Sequence, residues 1–353
     1  MRTRFTRPLG ELRRADATEF GGKSANLGDL IAAGVRVPAG FAVGVAAFRA
    51  FVEEAGLEAM IAARLRDAAG GGVDAVEATS EAIGEAMRLA PLPAVVHAEL
   101  RGSYEELARA TGVGRPAVAV RSSALGEDGE DASHAGQQDT FLWVQGLEQV
   151  YDAVRDCWVS LYTPRAIAYR GGDATAAMGV TVQQMVDAEI SGVMFTCNPV
   201  SGDPSMIAVN ASWGLGIAVV GGEVTPDDYL VSKITGEVVR RTVSTKHVQY
   251  VPDPAGRGAV RVDVPAGRRD EPCLGEAELS ALLEVAQRIE RHFGSHQDVE
   301  WAIERGRSLP DSLHVLQSRP VTTLPARTPT PSGSALSLVM STFGAVPKNA
   351  KRR

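Results

Sequence analysis

The chain has 353 residues, 44% hydrophobic and 22% charged, which accommodates two or three lobes around a shared cleft and the apolar cores to hold them. A formal net charge of −7 argues against nucleic acid or an anionic membrane as the main partner, and the short basic run Lys348, Lys351, Arg352 and Arg353 does not change that balance. No stretch approaches the ~18 apolar residues of a membrane span, the N-terminus lacks an apolar signal core, and Cys157, Cys197 and Cys273 lie too far apart for a zinc site or disulfide framework, so a reduced, cytoplasmic protein is expected.

In chain order, a short extended stretch leads to Gly21-Gly22-Lys23-Ser24, which runs into a helix with Leu27, Leu30 and Ile31 apolar. Glycines let backbone N–H groups approach an anion and the ammonium adds a point charge, so this segment is a candidate phosphate contact. It is not a P-loop, whose first glycine would fall where Ala17 stands; taken alone, a turn with a solvated lysine explains it equally well. The chain holds only five lysines, which makes one in a Gly-rich turn less of a coincidence. VPAGFAV (37–43) predicts a turn and a short strand, and 46–110 reads as mainly helical, broken at the 70–72 glycines and at Pro91 and Pro93.

PAVAVRSSA (116–124) predicts a strand that presents Arg121 at its tip, a planar fork matched to phosphate oxygens. The loop from Gly126 to Gly136 suits a lid; Glu127, Asp128, Glu130 and Asp131 read as solvated, and His134 as a loop histidine rather than a phosphate acceptor. QQDTFLWV reads as a strand, and 148–170 as a helix broken at Pro164, with Trp158 and Tyr162 as packing residues. Three apolar strands, 178–186, 191–199 and 206–216, suggest one antiparallel sheet packed on helices, an α+β arrangement. Short strands and loops fill 222–273, and 278–294 is an amphipathic helix stopped at Gly294. QDVEWAIE and LHVLQSRPV form a final strand pair. On it, Glu300 and Gln317 offer hard oxygens suited to Mg2+, and Arg319 shares the face of Gln317, although a salt-bridged exposed strand face fits the same residues. Residues 324–353 read as a linker or disordered tail.

Six segments occur together in order: GGKSANLGDLIAAGVRVPAGFAV, AVRSSALGEDGEDASHAGQQDTFL, CWVSLYTPRAIAYR, VQQMVDAEISGVMFTCNPV, GLGIAVVGGEVTPDDYLV and QDVEWAIE with VLQSRPVTT. This set resembles the N-terminal ATP-binding region of phosphoenolpyruvate synthases, pyruvate, phosphate dikinases and rifampin phosphotransferases. The resemblance implies an ATP-grasp-type fold of two lobes, 1–120 and 121–323, gripping ATP and Mg2+. It implies Lys23, Arg121 and Arg319 as catalytic charges on the phosphates, and Gly136, Thr140 and Phe141 in a closing loop. It further implies Gln183 on the adenine or ribose side, and Glu300 and Gln317 as Mg2+ ligands.

In that family the β-phosphate of ATP passes to a histidine on a mobile domain, leaving AMP and inorganic phosphate. No such domain follows Thr323 here, so the expected function is a phosphotransferase module acting on a histidine of a separate partner protein or domain, for onward transfer to a small molecule. Two departures stand out: Ile217 replaces the glutamate of Gly-Leu-Gly-Glu, and Ser133-His134-Ala135-Gly136 replaces Ser-Phe-Ala-Gly. Ile217 motivates the alternative, a regulatory or vestigial module that binds ATP without turnover.

Overall fold

The computed structural model describes residues 4–124, 140–170, 176–253, 255 and 258–321. The 126–136 loop, with His134 and Gly136, and the 324–353 tail lie outside the described residues. The first half gives β1 (Thr6–Pro8), α1 (Ala17–Phe20), α2 (Gly22–Ala32), β2 (Gly40–Val43), α3 (Val45–Glu54), α4 (Glu58–Ala68), α5 (Gly72–Leu89), α6 (Ala94–Thr111), β3 (Ala117–Ala124), β4 (Thr140–Gln145), α7 (Leu147–Val159) and α8 (Pro164–Arg170). The second half gives β5 (Met178–Gln184), β6 (Ala188–Phe195), β7 (Met206–Trp213), α9 (Ile217–Val220), β8 (Asp227–Ser232), β9 (Val238–Thr242), β10 (Val248–Pro252), β11 (Ala259–Asp263), α10 (Glu276–Phe293), β12 (Gln297–Glu304) and β13 (Leu313–Pro320). The class is α+β, as the pattern predicts. No helix among the described residues is long and apolar enough to cross a membrane.

Two antiparallel sheets organise the chain, in the orders β1-β2-β5-β3-β4 and β13-β12-β6-β7-β8-β9, with β10 and β11 as a separate ribbon. Helices α3 to α7 cover the first sheet, where Phe51 stacks on the fully buried Trp158 with ring centroids 5.3 Å apart. Helices α2 and α10 cover the second. Leu279, Leu282, Ala286 and Ile289 of α10 recur at helical spacing and meet Val299 and Trp301 of β12 in one core. That helix ends as its sequence predicts, with Gly294 at φ 68° in the left-handed region that glycine adopts without penalty.

The strand at 178–184 departs from its expected place. It does not join β6 and β7 but lies between β2 and β3 in the first sheet, pairing Gln183 with Gly40 and Ala119. A strand buried on both faces, as β5 is, carries no alternation that would name its neighbours. The chain therefore changes sheets between Gln184 and Ala188, whereas the position 120/121 expected to divide the lobes falls inside β3.

Residues 222–273 are pinned by a fully buried ion pair. Asp227 Oδ1 accepts from Lys246 Nζ at 2.6 Å and from Ser244 N–H at 2.9 Å, while Oδ2 accepts from Cys273 N–H at 2.7 Å and from the Tyr229 hydroxyl at 3.2 Å. Such a carboxylate is satisfied on every side, which is what burying a charge demands. The three cysteines are buried and form no disulfide with one another, and burial pushes the Cys197 thiol up to about 12, so it stays protonated.

Candidate functional site

The cleft between the sheets is built from a helix start, the middle of β3 and a strand pair; Arg121, expected at a strand tip, lies inside β3. Gly21 has φ 82°, and a Cβ there would lie 2.0 Å from the Ser123 carbonyl oxygen, so only glycine lets α2 start against β3. Ser24 N–H donates to Ser123 Oγ at 3.3 Å, and the hydroxyls of Ser24 and Thr181 share a 2.6 Å hydrogen bond. These contacts fix the first turn of α2, from which Lys23 Nζ reaches the Ser122 carbonyl oxygen at 3.0 Å.

Strand β12 alternates simply: Val299, Trp301 and Ile303 enter the second core, and Asp298, Glu300 and Ala302 take the other face. Strand β13 does not. Leu313 and Val315 are core residues, yet Gln317 and Arg319, also odd-numbered, line the cleft. The register explains it: Glu300 pairs with Gln317 but Trp301 pairs with Val315, so Leu316 is the extra residue of a β-bulge that exchanges the faces of the strand. A second irregularity sits in β4, where the pairing shifts between Val118 and Val120 and Trp143 has φ 59°, an uncommon conformation for a non-glycine residue.

Arg121 crosses the cleft from β3 to the other sheet. Its Nη2 donates to Glu300 Oε2 at 2.9 Å and to Gln317 Oε1, and its Nη1 to the Leu316 carbonyl oxygen at 3.3 Å. Arg319 is held by Asp298, whose Oδ2 lies 2.9 Å from Nε and 2.8 Å from Nη2. Burial alone would raise the pKa of Glu300. Arg121, as ion pair and donor, outweighs that together with Arg319 and Lys23, and the carboxyl is held below its ordinary range.

The cavity bounded by these groups is about 460 Å3, within the range of small-molecule sites. Lys23, Arg121, Glu300, Gln317 and Arg319 line one part, and Met185, Val186, Ala188, Leu215, Ile217 and Val219 supply apolar lining. Trp143 packs in the same apolar cluster as Val186, Leu215 and Ile217. Gln183 is 2% exposed, lines the cleft, and its Nε2 has no hydrogen-bond partner among the described residues, leaving a buried donor for a ligand acceptor.

Of the residues expected at the site, Lys23, Arg121, Thr140, Gln183, Glu300, Gln317 and Arg319 line this one cavity. Phe141 does not: Thr140 and Leu142 line the cleft, and Phe141 between them packs against the first core, as strand alternation requires. Gly136 lies outside the described residues. Asp298 was not singled out from the sequence; its signal was a carboxylate two residues before Glu300 on the same strand. Trp213 is 5% exposed, donates from Nε1 to the Arg268 carbonyl oxygen at 3.0 Å, and carries the Arg268 guanidinium over its ring.

Among the described residues no cluster of three or more His, Cys, Asp or Glu side chains is placed to hold a metal ion. Glu300 and Gln317 contribute two hard oxygens, a set that suits Mg2+ sharing its remaining positions with phosphate oxygens and water.

An apolar slot beside three cations and two hard oxygens has the chemistry that a nucleotide carrying a polyphosphate would require. The chain belongs to the pyruvate phosphate dikinase AMP/ATP-binding domain family, whose model matches residues 17–337. It is 40% identical over 347 residues to a probable phosphoenolpyruvate synthase of Methanothermobacter thermautotrophicus, covering 97% of this chain and 50% of the relative. A probable phosphoenolpyruvate synthase of Staphylothermus marinus is 39% identical, covering 90% of this chain and 41% of the relative. A rifampicin phosphotransferase of a Streptomyces species is 40% identical, covering 92% and 36% respectively. The chain thus spans half or less of the length of these curated relatives.

Proposed function

We propose that this chain is an ATP-grasp-type phosphotransferase module of the cytoplasm, which binds Mg·ATP in the cleft and passes the β-phosphoryl group to a histidine of a partner protein or domain. The observation that carries this reading is the gathering of Lys23, Arg121 and Arg319 around Glu300 and Gln317, beside an apolar slot. Phosphoryl transfer asks a protein chiefly for positioning and for charge placed where the phosphates develop it. Lys23, Arg121 and Arg319 bind phosphate oxygens, with Asp298 bracing Arg319. Glu300 and Gln317 hold Mg2+, which when bound supplies Lewis-acid charge on the phosphates. Gln183 donates from its unpartnered Nε2 to the nucleoside, and Met185, Val186 and Leu215 enclose the base.

The reaction balances as ATP, histidine and water giving AMP, inorganic phosphate and phosphohistidine. The α–β and β–γ phosphoanhydride bonds break, a nitrogen–phosphorus bond forms, and the oxygen of water leaves with the γ-phosphate. Relatives named for different products match the same region, which supports an acceptor chosen outside this cleft.

The test is incubation with Mg·ATP and a co-encoded histidine-bearing protein, reading AMP by chromatography and acid-labile phosphate on the acceptor. AMP is expected, and alanine at Lys23, Arg121 or Arg319 reduces its rate by about 10²–10³-fold each. Absence of AMP with every co-encoded candidate, or unchanged AMP in all three variants, sinks the assignment. A second reading, ATP binding without turnover, is favoured by Ile217 lining the cleft at the position where the family resemblance implies a glutamate. Under it, the native chain is inert and Ile217→Glu creates AMP release.

A further inference from the structure

Arg121 already holds one oxygen of each residue assigned to the cation. One guanidinium nitrogen donates to Glu300 Oε2 and to Gln317 Oε1, and another to the backbone oxygen of Leu316, the bulge residue between them and the core. The side chain is 13% exposed and its Nε, also buried, has no hydrogen-bond partner among the described residues. It is therefore tied to the second sheet by only part of its donor capacity. A polyphosphate offers that fork acceptors for two parallel bonds. A divalent cation arriving by itself meets the reverse situation: Lys23, Arg121 and Arg319 repel it, and both of its protein ligands are engaged.

We propose that Arg121 is an interlock that keeps the divalent cation out of the cleft until a polyphosphate draws its guanidinium off Glu300 and Gln317. The inference rests on the cleft being the Mg·ATP site. Exchange of the arginine from protein oxygens to phosphate oxygens frees the carboxylate and the amide, and the cation then closes the gap between them and the phosphates. Phosphate and metal thereby promote one another's binding, and the coupling acts equally in both directions. Because Arg121 belongs to the first sheet and its acceptors to the second, the exchange also passes the tie between the sheets from the protein to the ligand.

The experiment is a titration with Mn2+ as the probe, read by the electron paramagnetic resonance signal of the free ion, so that no turnover is required. In the wild-type chain without nucleotide, Mn2+ leaves the free-ion signal nearly undiminished, while a non-hydrolysable ATP analogue binds in EDTA by calorimetry. Arg121→Met keeps the apolar stem, removes the fork, and tightens nucleotide-free Mn2+ binding on the order of tenfold. Lys23→Met removes an equal charge without releasing either ligand and gives a smaller gain. Adding Glu300→Gln to Arg121→Met abolishes the gain.

The interlock is overturned if wild-type protein takes Mn2+ alone with an affinity that Glu300→Gln abolishes, a result that stands whether or not Arg121→Met folds. It is also overturned if Lys23→Met gains as much as Arg121→Met, or if the gain survives Glu300→Gln. Failure of the analogue to bind in any metal condition overturns the nucleotide reading itself, and the interlock with it.

Discussion

Replacing Glu300 by glutamine changes one atom group at the centre of the charge cluster, and its two effects on the cleft run in opposite directions. In the wild-type chain Lys23, Arg121 and Arg319 face the carboxylates of Glu300 and Asp298, leaving one net positive charge; Glu300→Gln raises that to two. The lost contact is the 2.9 Å pair with Arg121, worth roughly 6 kcal/mol as a bare Coulomb interaction at an effective dielectric of about 20. The partners are 13% and 22% exposed, and their desolvation offsets most of that figure. What remains is about 1.5–3 kcal/mol, the usual net worth of a hydrogen bond to a charged group. Released from Glu300, Arg121 turns to phosphate more readily. Metal-free nucleotide therefore binds roughly ten- to 150-fold more tightly, at ~1.4 kcal/mol per decade. Phosphoryl transfer, which needs the carboxylate for Mg2+, falls by about 10²–10³-fold. Calorimetry in EDTA measures the first effect and AMP release the second. If metal-free affinity drops together with turnover, Glu300 serves the nucleotide rather than the cation and this reasoning fails.

Three further outcomes follow from geometry elsewhere. Asp227→Ala strands the buried Lys246 ammonium and costs about 3–5 kcal/mol in urea unfolding, whereas Asp227→Leu combined with Lys246→Met recovers most of that loss; equal loss in both would show that the pair's charge is not what matters. Gly21→Ala forces a Cβ toward the Ser123 carbonyl oxygen at a positive φ, costs about 1–3 kcal/mol and weakens nucleotide binding with it; an unchanged melting temperature would refute the close approach. His314 is 9% exposed, and burial, helped by the charges of Arg36 and Arg307, lowers its pKa from 6.5 despite a 3.2 Å contact with Glu304. The unfolded chain takes the proton first, so this contribution to stability is complete above pH 6.5 and is lost as pH falls through the lower folded value. Denaturant midpoints measured across that window fall less steeply in His314→Gln, and parallel curves would remove His314 from the account.

The charged residues of the site were legible because each carries its chemistry in its side chain and recurs in a recognisable order. Lys23 lies at a Gly-rich helix start and Glu300 faces Gln317 as their motifs predict, whereas Arg121, expected at a strand tip, lies inside β3, whose pairing with β5 continues to Ala124; one cavity brings the four together. Asp298 was not legible, since an acidic residue on a strand reads the same whether it braces an arginine or meets water. The partners of β5 were hidden for a different reason: a uniformly apolar strand satisfies either sheet, and only three-dimensional packing chooses. The side of β4 that Phe141 takes was legible, because alternation from Thr140 already assigns it to the face opposite the cavity.

The bulge at Leu316 lies furthest from what periodicity reveals. Counting by twos from Leu313 would carry Gln317 and Arg319 into the core, and the extra residue alone turns them outward. Its consequence concerns the kinds of change this strand tolerates. A substitution at Leu316 alters one side chain, whereas deleting that position would join Val315 to Gln317, remove the bulge and let a regular strand keep the amide and the guanidinium on the cleft face. The cleft thus depends on how this strand pairs as well as on its side chains, and homologues one residue shorter at this point are expected to lack the bulge and still present the same face.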